Sequence, residues 1–146
     1  MLATKIMVAY DGSDHSIRAL EWALAAQTEK PVEIDVVTVI TPMVIPVSYE
    51  VPNMGMSLRA LDQSHDAAKK EEMDLLVRKY ADKGYTLKTH ILKGNIAESL
   101  LDHSAKSGAE LIVTGSRGES GFTRLLLGSI AEKLVTYAKV PVVVVK

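Results

Sequence analysis

The chain has 146 residues with 17 basic and 18 acidic side chains, so one domain spanning 1–146 is expected, with no net field to collect nucleic acid or an anionic membrane surface. It has no cysteine, which excludes disulfides, zinc thiolate centres and thiol catalysis and is compatible with a reducing compartment. MLATKIMVAYDGS lacks the long apolar region and cleavage site of a signal peptide, and no apolar stretch approaches the roughly 20 residues of a membrane span, so a soluble cytoplasmic protein without direct membrane insertion is expected.

KIMVAY (Lys5–Tyr10) is a short apolar run ended by Asp-Gly, which predicts a buried strand. Ser13–Lys30 follows as a helix, with Ile17, Leu20, Ala23 or Leu24 and Gln27 at helical spacing, an N-capping serine at its start and Pro31 as its stop. Val32–Ile40 alternates and then turns wholly apolar, the pattern of a central strand covered on both faces. Thr41 to Gly55 holds Pro42, Pro46 and Pro52 and is expected to be irregular. Ser57–Lys83 predicts a long helix with Leu58, Leu61, Ala68, Leu75, Leu76 and Tyr80 on its apolar side, and the charge cluster Lys69–Asp74 reads as its solvated face. Tyr85–Leu92 alternates as a third strand. Asn95–Gly108 is a helix opened by a capping-box spacing, Asn95-x-x-Glu98, and closed by glycine. Leu111–Gly115 predicts a fourth strand, Arg124–Lys139 a helix and Pro141–Lys146 a fifth strand. Strands that alternate with helices throughout predict an α/β domain with a parallel sheet and helices on both faces, because each return to a parallel neighbour needs a crossover. Ligands in such sheets sit beyond the carboxyl ends of the strands, at a switch point in strand order.

GSRGESGFTRLLLGS (Gly115–Ser129) follows the fourth strand at that edge. It is neither G-x-x-x-x-G-K-[ST] nor G-x-G-x-x-G, so no lysine for terminal phosphates is supplied in the usual way. Gly115, Gly118 and Gly121 can offer backbone N–H groups, Arg117 adds charge and donors, and Gly128-Ser129 opens a helix whose positive dipole end suits an anion. Against this, Ser129-x-x-Glu132 is itself a capping box, Arg117 can be a solvated loop residue, and Asp11 stands in a common Asp-Gly turn. Taken alone, these residues leave both a phosphate cradle and an ordinary turn open.

The spacing G115-S116-R117-G118, nine residues, then G128-S129 resembles the G-x2-G-x9-G-[ST] signature of the universal stress protein family, in its ATP-binding branch. VAYDGS (Val8–Ser13) resembles that family's first strand and turn, and the resemblance runs from about Lys5 to Lys146. It implies a single three-layer domain with a five-stranded parallel sheet in the order 3-2-1-4-5, a Rossmann-like arrangement similar to the adenine nucleotide alpha hydrolases. It further implies that Asp11 meets the ribose or adenine side, that the backbone of Val39 meets adenine, and that Thr114 and Gly115 lie against the sugar and α-phosphate. Arg117 and Gly118 would meet the phosphates, and Gly128, Ser129 and Ile130 would complete the cradle. The implied ligand is ATP, with AMP or ADP as variants and Mg²⁺ or Mn²⁺ on the phosphates. Ala9-Tyr10 departs from many relatives just before the aspartate.

His15, His65, His90 and His103 are scattered in sequence without metal-ligand spacing, and no G-x-S-x-G is present, so surface or packing roles are expected for them and turnover catalysis is not. The closing strand is apolar on both faces and would be a sheet edge in this order, which invites pairing with a second copy. A homodimer through Pro141 to Lys146, or a higher oligomer, is expected, as the family resemblance also implies. The function expected is nucleotide-dependent regulation in a stress response through a client protein such as a membrane transporter. The alternatives are a slow ATPase or phosphotransferase and a nucleotide-independent interaction module.

Overall fold

A computed structural model of the chain describes residues 3–42, 54–117 and 126–146, and side chains outside 54–61. Five parallel strands, β1 (Lys5–Ala9), β2 (Glu33–Ile40), β3 (Lys88–Lys93), β4 (Leu111–Gly115) and β5 (Val142–Val145), form one sheet in the order β3-β2-β1-β4-β5. This is the expected order. The chain adds strands to one side of β1 and then, at β4, to the other, so the loops leaving β1 and β4 diverge and open a crevice between them.

Alternation along the strands sends side chains to two apolar layers. Ile6, Val8, Ile34, Val36, Leu111 and Val113 face α1 (Asp14–Leu24) and α2 (Met54–Ala81), where they meet Leu20, Leu24, Met73, Leu76 and Tyr80. Met7, Val37 and Ile112 face α3 (Ile96–Ser107) and α4 (Ser129–Tyr137), where they meet Leu100 and Leu134. Each fully buried leucine here contributes about 1.5–3 kcal/mol. Among the described residues, no helix is long and apolar enough to cross a membrane.

The helix starts follow from side-chain caps. Ser13 Oγ accepts the Ser16 N–H at 3.2 Å, and Asn95 Oδ1 accepts the Glu98 N–H at 3.1 Å. Gly108 closes α3 with φ 74°, a left-handed cap that suits glycine. α1 is shorter than predicted and continues as a 3₁₀ turn over Ala25–Thr28, and Gln27 is not on its apolar stripe. Its amide instead donates to the carbonyls of Val32 (2.8 Å) and Thr86 (2.6 Å) and accepts from the Thr86 N–H, tying the end of α1 to the entry of β3.

α2 begins at Met54, earlier than predicted, and its inward side is Met73, Leu76, Val77 and Tyr80. Leu75 is 53% exposed and Ala68 is also exposed, because the turn that carries Met73 and Leu76 into the core points both outward. Of the Thr41–Gly55 stretch, residues 43–53 lie outside the described residues. β3 starts at Lys88 rather than Tyr85, and α4 starts at Ser129 rather than Arg124.

Candidate functional site

β1 and β4 lie side by side, with Val8 in register with Val113, so Asp11 and the stretch after Gly115 leave the sheet as neighbours. Asp11 Oδ1 accepts the Ser13 N–H at 2.9 Å, an Asx turn that carries the chain into α1 and leaves the aspartate exposed at the crevice. Gly12 takes φ 84° in this turn.

At the end of β4 the chain is fixed by four contacts. A Cβ on Gly115 would sit 2.7 Å from His15 Cβ and 2.8 Å from His15 C, so helix α1 packs here against bare backbone. The Ser116 N–H donates to Val145 O at 2.9 Å, and Ser116 Oγ lies 3.0 Å from His15 Nδ1. Ser116 O accepts the Gly128 N–H at 2.7 Å, which joins the two ends of the glycine-rich loop across a single hydrogen bond. A Cβ on Gly128 would approach Ser116 O to 3.1 Å and Arg117 Cα to 3.2 Å, so this closure also favours glycine.

The closure changes the role of Ser129. The N-cap of α4 is Gly128, whose carbonyl accepts the Glu132 N–H at 2.9 Å and which has no side chain to cap with. Ser129 is the first helical residue and Glu132 the fourth, one position too far for the predicted capping box. The N–H groups of Ser129, Ile130 and Ala131 therefore have no helical acceptor, and all three residues line the same cavity. The positive end of the α4 dipole faces it.

That cavity has a volume of about 690 Å³, within the range of small-molecule sites. Asp11, Val39, Thr114, Gly115, Arg117, Gly128, Ser129 and Ile130 all line it, and Gly118 and Gly121 lie outside the described residues. Ser16, in the first turn of α1, both donates to Ser13 O at 2.9 Å and lines the cavity. Among the described residues Arg117 has no ion-pair partner, which leaves its guanidinium available to an anion.

Sequence reasoning missed several wall residues. Tyr10, Thr38 and Thr41 stand at the carboxyl ends of β1 and β2, so their position beyond a strand end was the available signal. Burial first, and then the charges of Glu72 and Asp11, raise the Tyr10 hydroxyl above the ordinary phenol range and keep it a neutral donor. Lys69, assigned to a solvated face, also lines the cavity and pairs with Glu72 at 2.8 Å, while Met73 of the same cluster is core. Ile96 and Leu100 of α3 supply apolar wall.

Two of the four histidines meet in space: the His90 and His103 rings lie with centroids 4.7 Å apart and planes tilted by 50°, while His15 packs on Gly115 and His65 is exposed. Burial, followed by the neighbouring His90, holds His103 below the ordinary imidazole range.

The profile of the universal stress protein family matches residues 3–146. The universal stress protein YxiE of Bacillus subtilis is 32% identical over 97% of this chain and 98% of its own length. The solved structure of hypothetical protein MJ0577, from Methanocaldococcus jannaschii, superposes with a TM-score of 0.83 at 25% identity, covering 100% of this chain and 97% of that one. A universal stress protein family member from Arabidopsis thaliana, solved with AMP bound, shares the fold with a TM-score of 0.68 at 21% identity, over 98% of this chain and 91% of its own. With strand order and full-length similarity in agreement, the chain belongs to the universal stress protein family.

Proposed function

We propose that the cavity binds an adenine nucleotide, with ATP as its full-length occupant and AMP or ADP as shorter ones, and that the chain is a nucleotide-dependent regulatory protein. The carrying observation is the convergence of α4 N–H groups without a helical acceptor, Arg117 and the β4 terminus on the cavity that Asp11 enters from β1. Three N–H groups at a helix dipole and a guanidinium, none with a partner among the described residues, suit phosphate oxygens. Asp11 suits ribose hydroxyls, and the apolar wall of Val39, Ile96 and Leu100 suits a base. The AMP held by the Arabidopsis relative supports the same class of ligand. Asp11 is the acidic residue of the described cavity wall, so Mg²⁺ or Mn²⁺ would be held chiefly by phosphate oxygens.

The regulatory reading is preferred over an ATPase or phosphotransferase because efficient phosphoryl transfer needs a placed metal, nucleophile and charge clamp together. A stress-response role in the cytoplasm, a client such as a transporter, and dimerisation through β5 belong to the same proposal. Calorimetry with ATP and Mg²⁺ tests it: one nucleotide per chain is expected, with Arg117→Ala weakening ATP by about tenfold or more and adenosine hardly at all. An absence of binding at millimolar ATP overturns the nucleotide reading. ADP release above contaminant levels that Arg117→Ala abolishes overturns the regulatory one.

A further inference from the structure

A second polar cluster lies toward the amino ends of β2 and β3, away from the nucleotide cavity. Asp35 alternates with Val37 on β2, and the register sets His90 beside Val37, so both side chains face α3, where His103 stands one turn beyond Leu100. Asp35 is 2% exposed, a depth at which a carboxylate needs partners. Three atoms of the cluster are buried without any hydrogen-bond partner: Asp35 Oδ1, His90 Nε2 and His103 Nε2. One carboxylate oxygen and one nitrogen from each ring lie within 4.8 Å of one another, and His90 Nε2 is 3.6 Å from Asp35 Oδ2.

Three orphaned polar atoms from three elements, aimed into one volume, are costly unless something shared satisfies them. We propose that Asp35, His90 and His103 bind one divalent transition-metal ion of the zinc, cobalt or nickel class. Two imidazoles and a carboxylate, without thiolate, suit these ions and not Mg²⁺ or Ca²⁺. Tetrahedral ligands at zinc distances stand roughly 3.4 Å apart, so a carboxylate oxygen and two ring nitrogens already within 4.8 Å of one another need only small side-chain rotations to meet one ion. Lys5 opposes a cation: its Nζ is 3.6 Å from Asp35 Oδ2. It is also 3.4 Å from Glu33 Oε1, so it can turn to that partner while Asp35 Oδ1, untouched by Lys5, meets the metal. The fourth position would take water, as three-ligand sites do. Such an ion ties α3 to β2 and β3, and the first turns of α3 carry Ile96 and Leu100 into the nucleotide cavity.

The full chain, stripped with chelator and kept free of nucleotide, should take up one Co²⁺ per chain with the visible absorption of a low-coordinate centre. Zn²⁺ should displace it and excess Mg²⁺ should not. His103→Gln should weaken Zn²⁺ by at least about a hundredfold, since loss of supporting partners alone costs about 10–100-fold. The metal-free unfolding midpoint of that variant should stay near wild type. Lys5→Met should tighten binding, and His65→Ala, at an exposed position, should leave it unchanged. Failure of the wild-type chain to take up Co²⁺ or Zn²⁺ overturns the site without reference to any variant. Uptake that survives both His90→Gln and His103→Gln also overturns it.

Discussion

Gly115 shows how a residue in a binding signature can be fixed by packing instead. Its missing Cβ makes room for His15 at 2.7 Å, and the nearest atoms include helix backbone that cannot swing aside. Gly115→Ala is therefore expected to cost about 1–3 kcal/mol in denaturant unfolding, as overpacking does, whether or not nucleotide is present. A lost nucleotide affinity in a bulkier Gly115 variant would report on the α1–β4 contact first, so Arg117 is the cleaner probe of the ligand. Tyr80 makes a separate prediction. Burial, then the charge of Glu21 and the hydrogen bond to it, push its hydroxyl up to about 12 from 10.0. The neutral phenol is the form favoured by folding, so its stabilisation is complete below pH 10.0 and is lost as pH rises through about 12. An alkaline absorbance titration should show a tyrosinate step near pH 12 that Tyr80→Phe removes, accompanied by loss of stability across that window.

At the level of elements, the sequence was most legible where a local device sets a boundary. Ser13 and Asn95 cap the helices they were expected to cap, and Leu111–Gly115 is a strand to the residue, because these features need only neighbouring atoms. Asn95→Ala should lower stability by about 1 kcal/mol, read as a reduced unfolding midpoint, since the Glu98 N–H then loses its acceptor. Legibility failed where a distant contact decides. Ser129 was displaced from its cap by the Gly128–Ser116 hydrogen bond, which local spacing cannot report. Leu75 and Leu76 are equally apolar, and it is the packing of Met73, Leu76 and Tyr80 into the core that leaves Leu75 outward. Lys69 reached the cavity wall, and Asp35, His90 and His103 assembled, through strand register and helix placement. Asp11 and Arg117 stand beyond a strand's carboxyl end, which the α/β pattern marks as the ligand edge, whereas Val39, Thr114 and Ile130 came only from the family resemblance; all five line the cavity.

In the whole molecule, β5 is the sheet's edge and its four valines are only half-buried. The bonds from the Ile112 N–H to Pro141 O and from the Ser116 N–H to Val145 O fix which way the strand faces: by the period of two, the N–H of Val144 points away from β4. Val144→Pro should therefore spare the intrachain ladder yet block edge pairing; under the proposed dimerisation through β5, light scattering should find a dimer for the unaltered chain and a monomer for the variant. A variant that keeps the wild-type mass in solution would place any self-association on another surface. The last rung of that edge strand ends on Ser116, the residue that also holds Gly128 and precedes Arg117. Strand edge and the loop closure before Arg117 thus share one residue, so in the proposed assembly a partner that draws β5 outward would pull on the backbone that carries the arginine.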